Sequence, residues 1–157
     1  MKILLLAIGK TDEDYLITGI KKYVVRLGHY ASFEMKESPD IRNRKTLSED
    51  QQKKAESFLL LQQLQPGDQV VLLDENGKQY SSVAFAENLE KQMASGAKRI
   101  VFVIGGPYGF AQEVYDKADA KLSLSPMTFS HQMVRLVFVE QLYRAFTILK
   151  GEPYHHN

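Results

Sequence analysis

Ile100-Val101-Phe102-Val103-Ile104-Gly105-Gly106-Pro107-Tyr108-Gly109 is an apolar run that stops abruptly in glycines. Consecutive apolar residues, rich in β-branched side chains, predict a strand buried on both faces, as in a parallel sheet. Glycines at the C-terminal end of such a strand let a ligand approach the backbone, because no Cβ stands in the way. Further along, Leu124-Ser125-Pro126-Met127-Thr128-Phe129-Ser130-His131-Gln132-Met133 follows another strand, read as Ala120–Leu124. Open α/β sheets bind their ligands beyond the carboxyl ends of the strands. Two such loops, close in sequence, predict one small-molecule pocket built largely from backbone. Leu73-Asp74 ends an earlier strand and converges on the same edge.

Strand and helix signals alternate through the rest of the chain. Ile3–Ile8, Ser32–Lys36 and Gln69–Leu73 read as strands, and Glu75-Asn76-Gly77-Lys78 reads as a turn. A helix capped by Asp12 or Asp14 runs to Leu27 and ends at Gly28. Ser48 and Gln51 have capping-box spacing for a helix through Leu64, broken by Pro66-Gly67-Asp68. Ser81 or Ser82 starts the next helix, which stops at Gly96. A short helix covers Gln112–Lys117, and a long one covers His131–Lys150, ended by Gly151. The pattern predicts an α/β domain, a mainly parallel sheet flanked by helices. The 157 residues suit one domain, with no repeat and no linker.

The last helix is apolar on more than one side. At about 100° per residue, Val134, Phe138, Leu142 and Leu149 cover one sector. Leu136, Val139, Tyr143 and Phe146 fall near the opposite one. A terminal helix on a small sheet is expected to be peripheral, so the second sector predicts a symmetric dimer.

Composition excludes several chemistries. The net charge is +1, from 20 Lys and Arg against 19 Asp and Glu, so charge balance alone makes no case for nucleic-acid binding. There is no cysteine, hence no disulfide framework, no thiolate metal site and no thiol nucleophile, in keeping with a reducing cytosol. The apolar start Ile3–Ile8, about six residues, is shorter than a signal core and reads as a first strand. No run approaches the ~18 apolar residues of a membrane span. Gly9-Lys10-Thr11 lacks the upstream glycine of a P-loop, and no G-x-G-x-x-G, G-x-S-x-G or H-E-x-x-H occurs. No metal is expected.

The set Val103-Ile104-Gly105-Gly106, Leu124-Ser125, Met127-Thr128-Phe129, His131-Gln132-Met133, Glu140-Gln141, Tyr143-Arg144-Ala145 and Gly151-Glu152-Pro153-Tyr154-His155 resembles the RlmH (YbeA) family. These are small SPOUT-class rRNA methyltransferases, and the likeness spans the chain from Ile8-Gly9-Lys10 to the tail. Only the middle, about Pro39–Leu64, is undiagnostic. The resemblance implies methylation of N3 of a pseudouridine in 23S rRNA, on the assembled ribosome, with S-adenosylmethionine as methyl donor. It also implies a cytoplasmic homodimer whose C-terminal part forms a trefoil knot.

By position, the family's cofactor contacts fall on Leu73, Gly105, Leu124, Ser125, Pro126, Met127, Thr128 and Phe129. Leu73, Leu124 and Met127 would clamp an adenine, and Asp74 or Glu140 would favour a positive charge on the cofactor. His131, Tyr154 and His155 are the candidates for accepting the N3 proton or orienting the base. Arg135, Arg144 and Lys150, with Arg42, Arg44 and Lys45 of a basic loop, are the candidate phosphate contacts. Two other readings stay open: the same fold acting on another RNA base, and a non-catalytic ribosome-binding module that retains a nucleotide pocket.

Overall fold

The computed structural model describes residues 1–156. Its strands are β1 (Lys2–Ala7), β2 (Ser32–Glu37), β3 (Asp68–Gln79), β4 (Arg99–Ile104) and β5 (Ala120–Ser123). Its helices are α1 (Asp14–Leu27), α2 (Glu49–Gln63), α3 (Ser82–Met93), α4 (Gln112–Lys117) and α5 (Met133–Leu149). The strands form one sheet in the order β2-β1-β4-β3-β5, and every pairing is parallel.

The apolar runs follow from helices on both faces. Side chains alternate along a strand, so one set meets each helical layer. Ile3, Leu5, Ala7, Ile100, Phe102 and Ile104 pack with α1, α3 and α5. Leu4, Leu6, Val101 and Val103 pack with Leu60 of α2, Val114 of α4 and Phe110. At the amino edge, Arg99 holds Asp68 through two bonds (2.6 and 2.9 Å) and donates to the Gln63 carbonyl (2.8 Å). This ties β4, β3 and the end of α2 together. No helix among the described residues is long and apolar enough to cross a membrane.

Local signals locate most boundaries. Ser48 and Gln51 form the reciprocal capping box of α2, and Ser81 caps α3 through the Ala84 amide. Helix α1 departs from expectation. Its N-cap is Glu13, which makes no side-chain cap bond, so neither Asp12 nor Asp14 serves. Helix α5 begins at Met133, two residues later than expected, and in the turn before it the Ser130 Oγ accepts from the Met133 amide (3.0 Å).

Two expectations fail for non-local reasons. Residues 75–78 do not turn; they continue β3, which pairs with β5 through a register shift between Leu73 and Lys78. A Cβ on Gly77 would meet the backbone of Lys121 and Leu122 at 2.6 and 2.7 Å. The turn residues therefore make a bulge that keeps β5 close instead of reversing the chain.

Helix α5 is not peripheral either. It packs between α1 and α3 against the sheet. Both apolar sectors are covered within one chain: Phe138 and Leu142 of one are 0% exposed, and Val139 and Phe146 of the other are 0% and 4% exposed. Gly19 of α1 admits this approach, since a Cβ there would lie 3.0 Å from Leu136. The apolar girth of α5 thus reflects burial within the chain, and it no longer argues for a dimer.

Candidate active site

The carboxyl ends of β4 and β5, with residues 73–76 within β3, enclose a cavity of about 730 Å³. That size lies inside the roughly 300–1,000 Å³ of small-molecule sites. Residues 73–76 form one wall, 104–110 a second, and the stretch from Leu122 to His131 most of the remainder. The loop after β4 is tight: the Gly109 amide bonds the Gly106 carbonyl (3.2 Å), and Gly109 has φ 81°. A Cβ on Gly105 would lie 3.0 Å from the Phe110 ring. The wall there is backbone, as the glycine run implies.

The cavity brings together Leu73, Gly105, Leu124, Ser125, Met127, Thr128 and Phe129. Pro126 is not in its lining. Ser125 Oγ accepts from the Met127 amide (3.0 Å), and this local turn leaves Pro126 exposed at its apex. Met127 is 80% exposed, so the firm apolar walls are Leu73, Ile104, Leu124 and Val134.

Of the two acids considered, Asp74 is in the cavity. It accepts from Tyr115 Oη (2.6 Å) and from the Asn76 amide (2.8 Å). Burial, together with that bond to Asp74, pushes the Tyr115 phenol up to about 12, so it stays a donor. Glu140 does not line the cavity; it belongs to the tail cluster described below.

His131 lines the cavity, at its border with a smaller one. Burial and the nearby Arg135 hold its imidazole below the usual range, so it is neutral near pH 7 and able to accept a proton.

Arg135 requires a correction. A phosphate contact needs an accessible guanidinium, and Arg135 is 0% exposed. It donates to the carbonyls of Ile8 (2.6 Å), Gly9 (2.8 Å) and His131 (3.0 Å), to Thr11 Oγ1 (3.0 Å) and to Glu37 (3.1 Å). Gln132 adds bonds to the Lys10 carbonyl and the Asp12 amide, both 3.0 Å. Arg135 therefore locks the loop after β1 to the start of α5, and so fixes His131.

The tail lies elsewhere in the chain. Tyr154 donates to Glu140 Oε1 (3.1 Å) and packs edge-on against Tyr143, with ring centres 4.8 Å apart. Arg144 pairs with Glu140 (2.6 Å), lies over the Tyr154 ring (4.9 Å) and meets His155 Nδ1 (3.1 Å). A guanidinium only donates, so Nδ1 accepts and the His155 proton sits on Nε2. Burial, with Tyr23 and Glu140 adding to it, raises the Tyr154 phenol above its ordinary range. Tyr154 thus stays protonated and donates within this cluster. Neither Tyr154 nor His155 lines the cavity of its own chain. Arg144 is committed to this cluster, while Lys150 is exposed. Arg42, Arg44 and Lys45 are exposed as well, and the last two line the smaller cavity.

The sequence reading missed the Tyr115–Asp74 bond and the buried polar face of α2, Gln52, Glu56 and Ser57. Its signal is spacing. Positions 52, 56 and 60 lie four apart, so the helix face that carries buried Leu60 continues in polar residues.

Comparison with known proteins agrees with this geometry. The family described as "Predicted SPOUT methyltransferase" matches residues 1–155, and the chain belongs to that family. It is similar to the ribosomal RNA large subunit methyltransferase H of Parabacteroides distasonis, 59% identical over 156 residues and 99% of both chains. The proteins of the same name from Christiangramia forsetii and Flavobacterium johnsoniae are 61% and 60% identical, with the same coverage.

Proposed function

We propose that this chain methylates N3 of a pseudouridine in 23S rRNA, on the assembled ribosome, using S-adenosylmethionine. It does so as a cytoplasmic homodimer. The observation that carries the reading is the backbone-walled cavity between the ends of β4 and β5 and residues 73–76 of β3, in a chain of the SPOUT methyltransferase family. The near full-length likeness to large-subunit rRNA methyltransferases supports the substrate.

The donor supplies an electrophilic methyl group on a sulfonium centre. Leu73, Ile104 and Leu124 would hold its adenine, and the Gly105-Gly106 backbone would lie along it. The Asp74 carboxylate is fixed by Tyr115 and the Asn76 amide, and it favours a cationic ligand. Methyl transfer requires the nucleophilic nitrogen to approach in line, so positioning supplies much of the rate. Transfer to N3 would break the methyl carbon's bond to sulfur, with the electron pair left on sulfur, and the N3 proton must also leave; neutral His131, at the cavity border, would accept it.

Tyr154 and His155 would cover the target base from a second copy of the chain, since they do not reach the cavity of their own. Exposed apolar residues on α1, Tyr15, Ile17 and Val25, suit a contact between copies. The course of the chain suits a knotted C-terminal part. β5 is at the sheet edge beyond β3, while α5 lies between α1 and α3, so the connecting segment must pass the β3–α3 connection.

Calorimetry tests the site. Gly105→Val places a side chain against Phe110 and in the cavity wall, and it is expected to weaken S-adenosylmethionine binding at least ~10-fold. Truncation after Gly151 is expected to abolish methyl transfer to ribosomes lacking the mark while sparing cofactor affinity. Full activity of that truncation would remove the tail from the reaction.

A further inference from the structure

The smaller cavity, about 300 Å³, opens beside the first one. Pro107, Tyr108 and His131 line both, so the two meet at the glycine loop and at the proposed proton acceptor. Arg44 and Lys45 stand at its outer side. Gln52 and Glu56, from the polar face of α2, form its buried wall.

Glu56 is the unusual group. It is 3% exposed and has no cationic partner among the described residues. Gln52 Nε2 donates to its Oε2 (3.2 Å), but its Oε1 is buried with no hydrogen-bond partner. A buried polar atom left unpaired costs roughly 1–3 kcal/mol. The other buried unpaired oxygens, on Gln69 and Gln92, line neither cavity. The glycine loop is shaped around the Glu56 carboxyl, since a Cβ on Gly106 would collide with it. Burial raises this carboxyl above the usual carboxylate range, with the Gln52 amide pulling the other way. An oxygen remains free to accept in either protonation state.

This inference rests on the function proposed above. We propose that the second cavity receives the target base, and that Glu56 Oε1 accepts the N1–H bond that pseudouridine offers and uridine lacks. Pseudouridine is joined to its ribose through carbon, so it carries N1–H at the position where uridine carries C5–H. Only one ring carbon separates N1 from N3. A base whose N3 faces the methyl donor at the shared border therefore turns N1–H toward an adjoining wall. With uridine, the buried Oε1 would stay unpaired against a C–H group. Sites built to bond a polar hydrogen reject analogues that lack it. Arg44 and Lys45, at the mouth, would meet the flanking phosphates.

The test uses the intact protein and two ribosome preparations that lack the methyl mark, one with pseudouridine and one with unmodified uridine at the target. The wild type is expected to prefer pseudouridine by about 10–100-fold in kcat/KM, the value of one buried bond. Glu56→Met keeps the length of the side chain and removes the acceptor. It is expected to bring the preference within about threefold, with S-adenosylmethionine affinity unchanged. Equal losses on both ribosomes, with the wild-type ratio kept, would make Glu56 merely structural and overturn the proposal. If Glu56→Met fails to fold, Glu56→Leu also removes the acceptor and carries the same expectation; an unchanged ratio there overturns it. A wild type inactive on both ribosomes would instead overturn the parent reading.

Discussion

Two buried charged side chains show how differently single residues can serve this fold. Arg135 donates to five acceptors, drawn from the loop after β1, from β2 and from the turn before α5. Arg135→Met would strand the Ile8 and Gly9 carbonyls and leave Glu37 only its bonds from Thr11, and a loss of about 3–5 kcal/mol is expected in urea unfolding. Glu56 is held with one oxygen unpaired, so it destabilises the fold when ionised. Its carboxyl is raised in the folded state, so the favourable contribution is complete below the unfolded value near 4.5 and is lost as pH rises through the folded value. Glu56→Gln removes that dependence. Its melting temperature is therefore expected to gain on the wild type as pH rises above the unfolded value, levelling off once the folded value is passed; a constant difference would show that the carboxyl does not titrate abnormally. Neither role was legible in the sequence. An arginine inside a helix usually reaches solvent, and its acceptors here come from segments distant in sequence.

Elements were legible where a local rule governs them. Continuous apolar runs located β1 and β4, and capping chemistry located α2 and α3. Ser48→Ala is expected to cost about 1 kcal/mol, because it removes half of the capping box. Where the rule is non-local, the reading failed. Residues 75–78 carry turn chemistry, yet β5 packs onto Gly77 and keeps them in β3 as a bulge. Gly77→Ala should force β3 from β5 and cost about 1–3 kcal/mol. Because the bulge follows directly on Asp74, S-adenosylmethionine affinity should fall with it; a variant that loses neither would show the strand contact to be loose. The apolar girth of α5 was read correctly, but the helices that cover it were not foreseeable from its own residues.

At the scale of the molecule, one sheet edge gathers three loops, and the glycines, the Leu124–Phe129 stretch and His131 made that gathering legible in advance. The tail was legible only by resemblance, and its distance from the cavity of its own chain is what calls for a second copy. Sedimentation at micromolar concentration is expected to give twice the monomer mass of 17.9 kDa. A monomer would leave Tyr154 and His155 without a route to the base. The most direct test of the whole reading is transfer of labelled methyl from S-adenosylmethionine to ribosomes that lack the mark, followed by mapping of the label. The expected result is a single label on 23S rRNA, at N3 of a pseudouridine, lost in Gly105→Val. A folded, cofactor-bound protein that leaves 23S rRNA unlabelled, or labels a different base, would contradict it.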